Sequence, residues 1–533
     1  MNLSHLLVCL PVVVPLATAV TLMGLANRPR ATRTVALLGA LLLLGVALTL
    51  AYRTVHLGEI LVLPIGSWSP LVGIVWVVDP LGAIMLVLGA IIGLSALIYA
   101  PSSLRIPREG HFFYPLHQLL MVGINGCFIT GDLFKLFVFF EVMLMTSFVQ
   151  ITLGARRVQL ESTFTYILIN LVGSLMFLAG VGAVYGTIGT VNLAEISLRI
   201  TNGDAPPAFW GAIGVVLTIF AMKTALVPLF FWLPDSYPEA PWPCASMFAV
   251  LWTKVGVYTL FRFVPLITGG PERGPLQDVL LVIAGLTMFF GVLGALGRNR
   301  IREILSFHIV SQVGYMIFGL ALYTKVGVAA GLFYVVHHII VKSGLFLAGG
   351  IAERVGDSDQ LKAVRGLAGT HPWAALGFFI PALALAGIPP FSGFWGKFFL
   401  IIAGFQLGLE SGTMVSILAW TATVIAILVG LLTLASMLKI WDATYWGPNE
   451  GQRRPELGRD RGMLGATLLL ASLSVAIGLL AAPLFAYCER ASEQLLAVSP
   501  YVEAVLQEAD RIDGKDTEDL MEVELALGRE HWP

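Results

Sequence analysis

Fourteen stretches of about twenty mostly apolar residues follow one another with only short connections, and this fixes the solvent in which the chain can fold. A bilayer core about 30 Å thick takes about 20 apolar residues per helical crossing. Windows of that kind fall near 3–24, 34–53, 74–100, 112–130, 133–153, 162–188, 208–233, 242–266, 276–297, 303–324, 326–350, 372–402, 414–440 and 463–486. Backbone polar groups cannot go unpaired in hydrocarbon, so each crossing must be a helix or part of a closed barrel, and no strand alternation supports a barrel. The expected fold is all-α and polytopic, with about fourteen transmembrane helices. Composition agrees: 12% of the 533 residues are charged, against about 25% in soluble domains. Mean hydropathy is +0.85. A soluble multi-domain enzyme is thereby excluded, and a net charge of −1 offers nucleic acid no basic surface. The first apolar run has no positive segment before it, so it is expected to be a retained span rather than a cleaved signal.

Two spans carry internal breakers: Pro228 in the seventh, and Gly387-Ile388-Pro389-Pro390 in the twelfth. Pro228 lies five residues after Lys223, and Lys397 lies seven after Pro390. Broken helices at matching positions of two halves point to an inverted-repeat transporter. The organisation expected is therefore 1–111 (spans 1–3), 112–266 (first five-helix repeat, spans 4–8), 276–440 (second, inverted repeat, spans 9–13), 463–486 (span 14) and a polar acidic tail, 490–533. The tail reads either as an amphipathic helix against the outer face or a partner, or as a frayed acidic segment.

Loop charge sets the orientation. Loops after odd-numbered spans carry seventeen Lys and Arg; those after even-numbered spans carry six, counted as Arg53, Lys135, Arg199, Arg262, Arg273 and Lys325. The positive-inside rule makes the odd loops cytoplasmic and puts both termini outside. The expected location is the cell (inner) membrane. Lys439 and Asp442, at the end of the thirteenth span, are expected to snorkel to the cytoplasmic surface. Cys9, Cys127, Cys244 and Cys488 form no CxxC and no metal-ligand spacing, and read as small apolar residues.

Charges inside the spans carry the chemistry. Glu141, Lys223, Lys254 and Lys397 sit near mid-depth of the fifth, seventh, eighth and twelfth spans. At about 2.5–3.5 kcal/mol each, together they cost on the order of 10 kcal/mol, as much as a whole domain's stability. His308 in the tenth span and His337, His338 and Lys342 in the eleventh add to this. Such residues face the bundle interior and mark ion pathways. Each also has a structural reading: Glu141 and Lys223 as a buried ion pair, Lys254 against helix-end carbonyls, His308 solvated near the helix end. His337 and His338 point about 100° apart, and His338 shares a face with Lys342 at i, i+4, which favours His338. A sodium site needs several converging oxygens. Here amines and imidazoles dominate around a single mid-membrane carboxylate, which suits proton conduction. No cofactor and no metal are expected.

Glu141, Lys223, Lys254, His308 and Lys397 lie in four recognisable segments: FFEVMLMTSF (139–148), AMKTALVPLFFWLPDSYPEAPWPCASMFAVLWTKVGVYTL (221–260), LSFHIVSQVGYM (305–316) and AGIPPFSGFWGKFFL (386–400). The chain resembles the antiporter-like subunits shared by respiratory complex I and the Mrp cation/proton antiporters, over nearly all fourteen spans. Within that superfamily it is most similar to the D-type Mrp subunits. The resemblance implies a relay of Glu141 on the fifth helix, Lys223 on the broken seventh, Lys254, His338 and the twelfth-helix Lys397. His308, His337 and Lys342 stand beside it. Tyr334 occupies a place where some relatives carry a second histidine, and Gln312 one where certain complex I subunits have one. The implied function is proton translocation in a multisubunit Na+(cation)/H+ antiporter, with other Mrp subunits and membrane lipids as partners and protons and Na+ as the ions moved. The alternative is the membrane subunit of a complex I-type oxidoreductase or membrane-bound hydrogenase. Without a nucleotide fingerprint, cysteine cluster or haem signature, redox chemistry would then fall to its partners.

Overall fold

The apolar runs fold into helices in the computed structural model, which describes residues 3–25, 28–65, 73–104, 107–154, 156–361, 363, 365–447 and 461–513. Among these, fourteen helices are long and apolar enough to cross a membrane. Those that matter for the site are the fifth (Leu133–Ile151), sixth (Arg157–Ile188), seventh (Pro207–Thr224), eighth (Trp242–Thr268), ninth (Pro275–Leu296), tenth (Ile301–Leu322) and eleventh (Lys325–Gly356). The twelfth is split into Pro372–Ala386 and Ser392–Glu410, and the thirteenth is Thr413–Tyr445. The most apolar 18 residues of the eighth and of the eleventh span are all buried, whereas 28% of those of the thirteenth are. Buried faces of helices can carry charge at mid-membrane depth; lipid-facing ones cannot.

The third span starts later than its hydropathy indicates. Ile74–Val78 is a strand, β2, paired antiparallel with β1 (Leu61–Ile65) in the register Leu61↔Val78 to Ile65↔Ile74. The helix begins at Pro80, where the Asp79 side chain accepts from Gly82 N at 2.9 Å. A run of β-branched residues is apolar enough to read as the start of a span, and the proline that fixes the helix start follows it.

Both breaks fall where the prolines and Gly387 indicate. The seventh helix stops at Thr224, and Ala225 takes a left-handed conformation (φ 62°) before Val227-Pro228. The freed groups find partners: Val227 N donates to Thr287 Oγ1 of the ninth span (3.1 Å), and Trp232 Nε1 donates to Met222 O (3.0 Å). The first half of the twelfth span ends at Ala386, with Gly387 at φ 91° as its cap. The eighth span has a third irregularity, a π-helical turn at Phe248–Trp252.

Close packing is built on glycine. A Cβ on Gly123 would clash with the backbone of Met143, and one on Gly126 with the Phe139 ring. In the second half, a Cβ on Gly291 would clash with the backbone of Ser311, and one on Gly294 with the Phe307 ring. The four positions of one set convert into those of the other by a single common shift in numbering.

Several charges assigned to loops are structural. Arg262 lies inside the eighth span and pairs with Asp79 through two hydrogen bonds of 2.6 and 2.5 Å, both side chains buried. Arg302 is likewise buried, at the start of the tenth span. Lys439 does not only snorkel: its Nζ donates to Leu296 O (3.0 Å) and Arg298 O (2.6 Å), closing the end of the ninth span. Arg105, Lys362, Arg453, Arg454, Arg459 and 514–533 of the tail lie outside the described residues. The described part of the tail is helical: Ala481–Ala497 and Ser499–Asp513 pack on the bundle through Val502, Val505 and Tyr501, whose ring lies 5.0 Å from the Arg262 guanidinium.

Candidate functional site

Lys223 sits in the last turn of the seventh helix before its break, and is buried. Its Nζ donates to Asn170 Oδ1 of the sixth span at 3.1 Å and lies 5.2 Å from the Trp252 ring centroid. Asn170 is held for this role, because its Nδ2 is committed to Tyr166 O at 2.9 Å, which turns its oxygen toward the lysine. Glu141 is within Coulombic range of Lys223, yet its Oε1 is buried without a hydrogen-bond partner. The hydrogen bond to the Lys223 amine is made by the Asn170 amide.

Lys254 follows the π turn. Its Nζ donates to Ala249 O (3.3 Å), a carbonyl within that turn, and to Thr253 Oγ1 (3.1 Å). A π turn shifts the hydrogen-bond ladder by one residue and leaves such a group open. Lys254 is in Coulombic range of both His338 and Lys342 on the eleventh span. Both nitrogens of His338, and Nζ of Lys342, are buried with no hydrogen-bond partner.

The chain of neighbours continues to the twelfth span. Lys342 is in range of His308, and His308 of Lys397; His308 Nε2 bonds Ser436 Oγ at 2.8 Å. His337 points the other way from His338, to Ser392 Oγ at 2.8 Å, and is also in range of Lys397. Ser392 in turn meets Ser474 at 3.3 Å. Lys397 Nζ donates to Leu385 O and Ala386 O, both at 3.0 Å, and so holds the carbonyl end of the broken half-helix. Tyr334 donates to Gln312, and its ring stacks on Tyr315 at 5.1 Å. All eight charged or imidazole positions singled out from the sequence therefore fall in two adjoining clusters: Glu141 with Lys223, and Lys254, His308, His337, His338, Lys342 with Lys397.

An unpaired buried polar atom costs about 1–3 kcal/mol, and Glu141 Oε1, both nitrogens of His338 and Lys342 Nζ are such atoms. Asn170, Ser392 and Ser436 escaped the sequence reading. The amide could have been found by scanning spans for any strongly polar group. The serines could not, since most serines in such helices bond their own backbone.

The whole chain was compared with known proteins. Residues 130–429 match the family model described as NADH:quinone oxidoreductase/Mrp antiporter, TM. The chain is 39% identical over 505 residues to the D subunit of the Na(+)/H(+) antiporter of Alkalihalophilus pseudofirmus, covering 94% of this chain and 99% of that one. It is 33% identical over 503 residues to the corresponding Na(+)/H(+) antiporter D subunit of Bacillus subtilis, with the same coverage. Among solved structures, a chain of the Mrp complex from Dietzia sp. superposes with a TM-score of 0.86 at 33% identity, over 95% of this chain and 100% of that one. A chain of the archaeal membrane-bound sulfane sulfur reductase superposes with a TM-score of 0.85 at 25% identity, over 93% and 99%. The family model spans both breaks and the buried charges, and the chain belongs to the NADH:quinone oxidoreductase/Mrp antiporter family of membrane subunits.

Proposed function

We infer that this chain is the proton-translocating, D-type subunit of a multisubunit Na+(cation)/H+ antiporter. It is a multi-pass membrane protein and a transporter subunit rather than an enzyme; other antiporter subunits are its partners. The observation that carries the mechanism is the unbroken series of buried bases from Lys254 to Lys397, each within Coulombic range of the next.

In this reading Glu141, Lys223, Lys254, His338 and Lys397 form the main relay, with His308, His337 and Lys342 as side members. Lys223 alternates between Asn170 and Glu141, and its movement between amide and carboxylate is the gate of the first half. Because Lys397 and Lys254 also hold helix carbonyls, a proton leaving either one loosens the break or π turn beside it, which links protonation to helix geometry.

The glycine pairs and the two broken spans support a division into inverted five-helix repeats, spans 4–8 and 9–13, each with one half-channel. Loop charge supports cytoplasmic odd-numbered loops in the cell membrane, with both termini outside. The test is exchange in everted vesicles carrying the whole complex. Sodium should dissipate a preset pH gradient, and Lys254→Ala should abolish the effect while the complex still assembles. Wild-type exchange by that variant would remove the relay.

A further inference from the structure

At the arginine-rich end of the bundle, two adjoining cavities of about 310 and 290 Å³ share Ser103, Arg156, Trp242 and Glu353 in their walls. The floor is unusually organised. Trp242, the first residue of the eighth span, donates its indole Nε1 to Glu353 Oε2 at 3.0 Å. Arg302 Nε donates to the same oxygen at 2.9 Å, and its guanidinium lies 3.9 Å from the Trp242 ring centroid. Arg302 is itself fixed by Pro238 O (2.9 Å) and Ala240 O (2.7 Å). The indole lies flush against the eleventh span because Gly349 and Gly350 are bare there: a Cβ on either would approach the Trp242 ring to 2.8 Å.

Beneath the indole the Phe346 ring sits 6.2 Å away, edge to face, and the Lys342 Nζ lies 5.9 Å from the centroid of that Phe346 ring. Glu353, Phe346 and Lys342 are seven and four residues apart, so they share one helix face, and about 16 Å of axial rise separates the carboxylate from the amine. Lys342 Nζ is wholly buried and without a hydrogen-bond partner. A polar vestibule with a carboxylate at its floor, two aromatic rings, and an orphaned amine directly below follow in that order.

Resting on the relay reading above, we propose that Trp242 and Phe346 form a hydrophobic plug between the vestibule and Lys342, and that Glu353 and Lys342 are the proton donor and acceptor on its two sides. Apolar constrictions stop conduction by excluding water, so a small displacement of the rings suffices to open a water file. The proton leaves a Glu353 carboxyl oxygen for the first water, and the last water passes one to the unprotonated Lys342 amine. Glu353 is left a carboxylate and Lys342 an ammonium, and no other bond changes. From Lys342 the proton has His338, His308 and Lys254 within Coulombic range. The hydrogen bond from Trp242 to Glu353 links the plug to the donor's charge: a protonated Glu353 accepts less strongly and slackens the indole at the moment a proton is available.

The experiment uses the complete antiporter in liposomes, with an imposed pH gradient and no sodium. Trp242→Ala and Phe346→Ala, made separately, should each leak protons severalfold faster than wild type, and Trp242→Phe should not. Adding Lys342→Met to either leaky variant should return the leak to the wild-type rate. Two tight alanine variants would overturn the plug, and a leak that survives Lys342→Met would overturn Lys342 as acceptor. If one alanine variant fails to assemble, the other carries the same comparison. Absence of sodium-driven exchange in the wild-type complex would count against the antiporter reading alone, because the leak is read without sodium.

Discussion

The Lys223 amine lies 3.1 Å from Oδ1 of Asn170, a neutral partner on the neighbouring helix, while the nearby Glu141 carboxylate keeps one oxygen buried and unpaired. Asn170 is therefore as much a part of the seventh-helix site as Glu141. Asn170→Ala removes a hydrogen bond to an ionisable group, worth about 1.5–3 kcal/mol, and should slow exchange in vesicles without abolishing it. Asn170→Asp should slow it further, because a second carboxylate would trap Lys223. Faster exchange in the aspartate variant would show that the amide is not one end of the lysine's travel.

Glu141→Ala and Glu141→Gln should both lose sodium-driven proton movement while the complex remains assembled. Lys223 would then have only the neutral Asn170 to move to and from. Wild-type exchange by the glutamine variant would remove the charge-pair gate.

Lys397 supplies the donor for two helix-end carbonyls at 3.0 Å. Lys397→Leu strands both, at about 1–3 kcal/mol each, and should abolish exchange and lower the melting temperature. Lys397→Glu should retain partial exchange, since a protonated carboxyl can donate one of the two bonds and still release its proton. Full exchange by the leucine variant would reduce Lys397 to a packing residue.

Breaking the Asp79–Arg262 pair should be costly without touching the relay. Arg262→Leu leaves a buried carboxylate without its countercharge, a loss of about 3–5 kcal/mol, whereas Asp79→Leu with Arg262→Leu should recover most of it. Thermal unfolding of the purified chain measures the difference. A double variant no better than the single would place the cost in the packing of the guanidinium against the Tyr501 ring and the Tyr258 ring, 5.0 and 5.6 Å away.

Asp132, which caps the fifth helix ahead of Glu141, has its carboxyl raised to about 6 by burial, against the opposing hydrogen bond from Lys135 N. A raised carboxyl disfavours the charged folded form. Its penalty is present above about pH 6 and disappears as the pH falls toward the unfolded value near 4, at most on the order of 1–3 kcal/mol. Asp132→Asn keeps an acceptor for Lys135 N and should melt higher than wild type at pH 8, with the gap closing by about pH 4. A constant gap across that range would show that the charge is not the cause.

The sequence alone carried the solvent, the number of crossings, the positions of both breaks and the eight charged or imidazole positions singled out inside the spans. Each depends on local chemistry: a run of apolar residues, a proline without an N–H, a charge that hydrocarbon will not hold. It also overextended one span, reading the strand Ile74–Val78 as helix, because hydropathy is blind to β-branching until Pro80 sets the helix start. Partners were decided only by tertiary structure. Nothing in the order of residues says that Lys223 turns to Asn170, that Lys397 closes a half-helix, or that Trp242 and Phe346 meet edge to face between Glu353 and Lys342. Those relationships join helices far apart in sequence. Their geometry follows from how closely glycines let the helices approach and which backbone groups the breaks leave open.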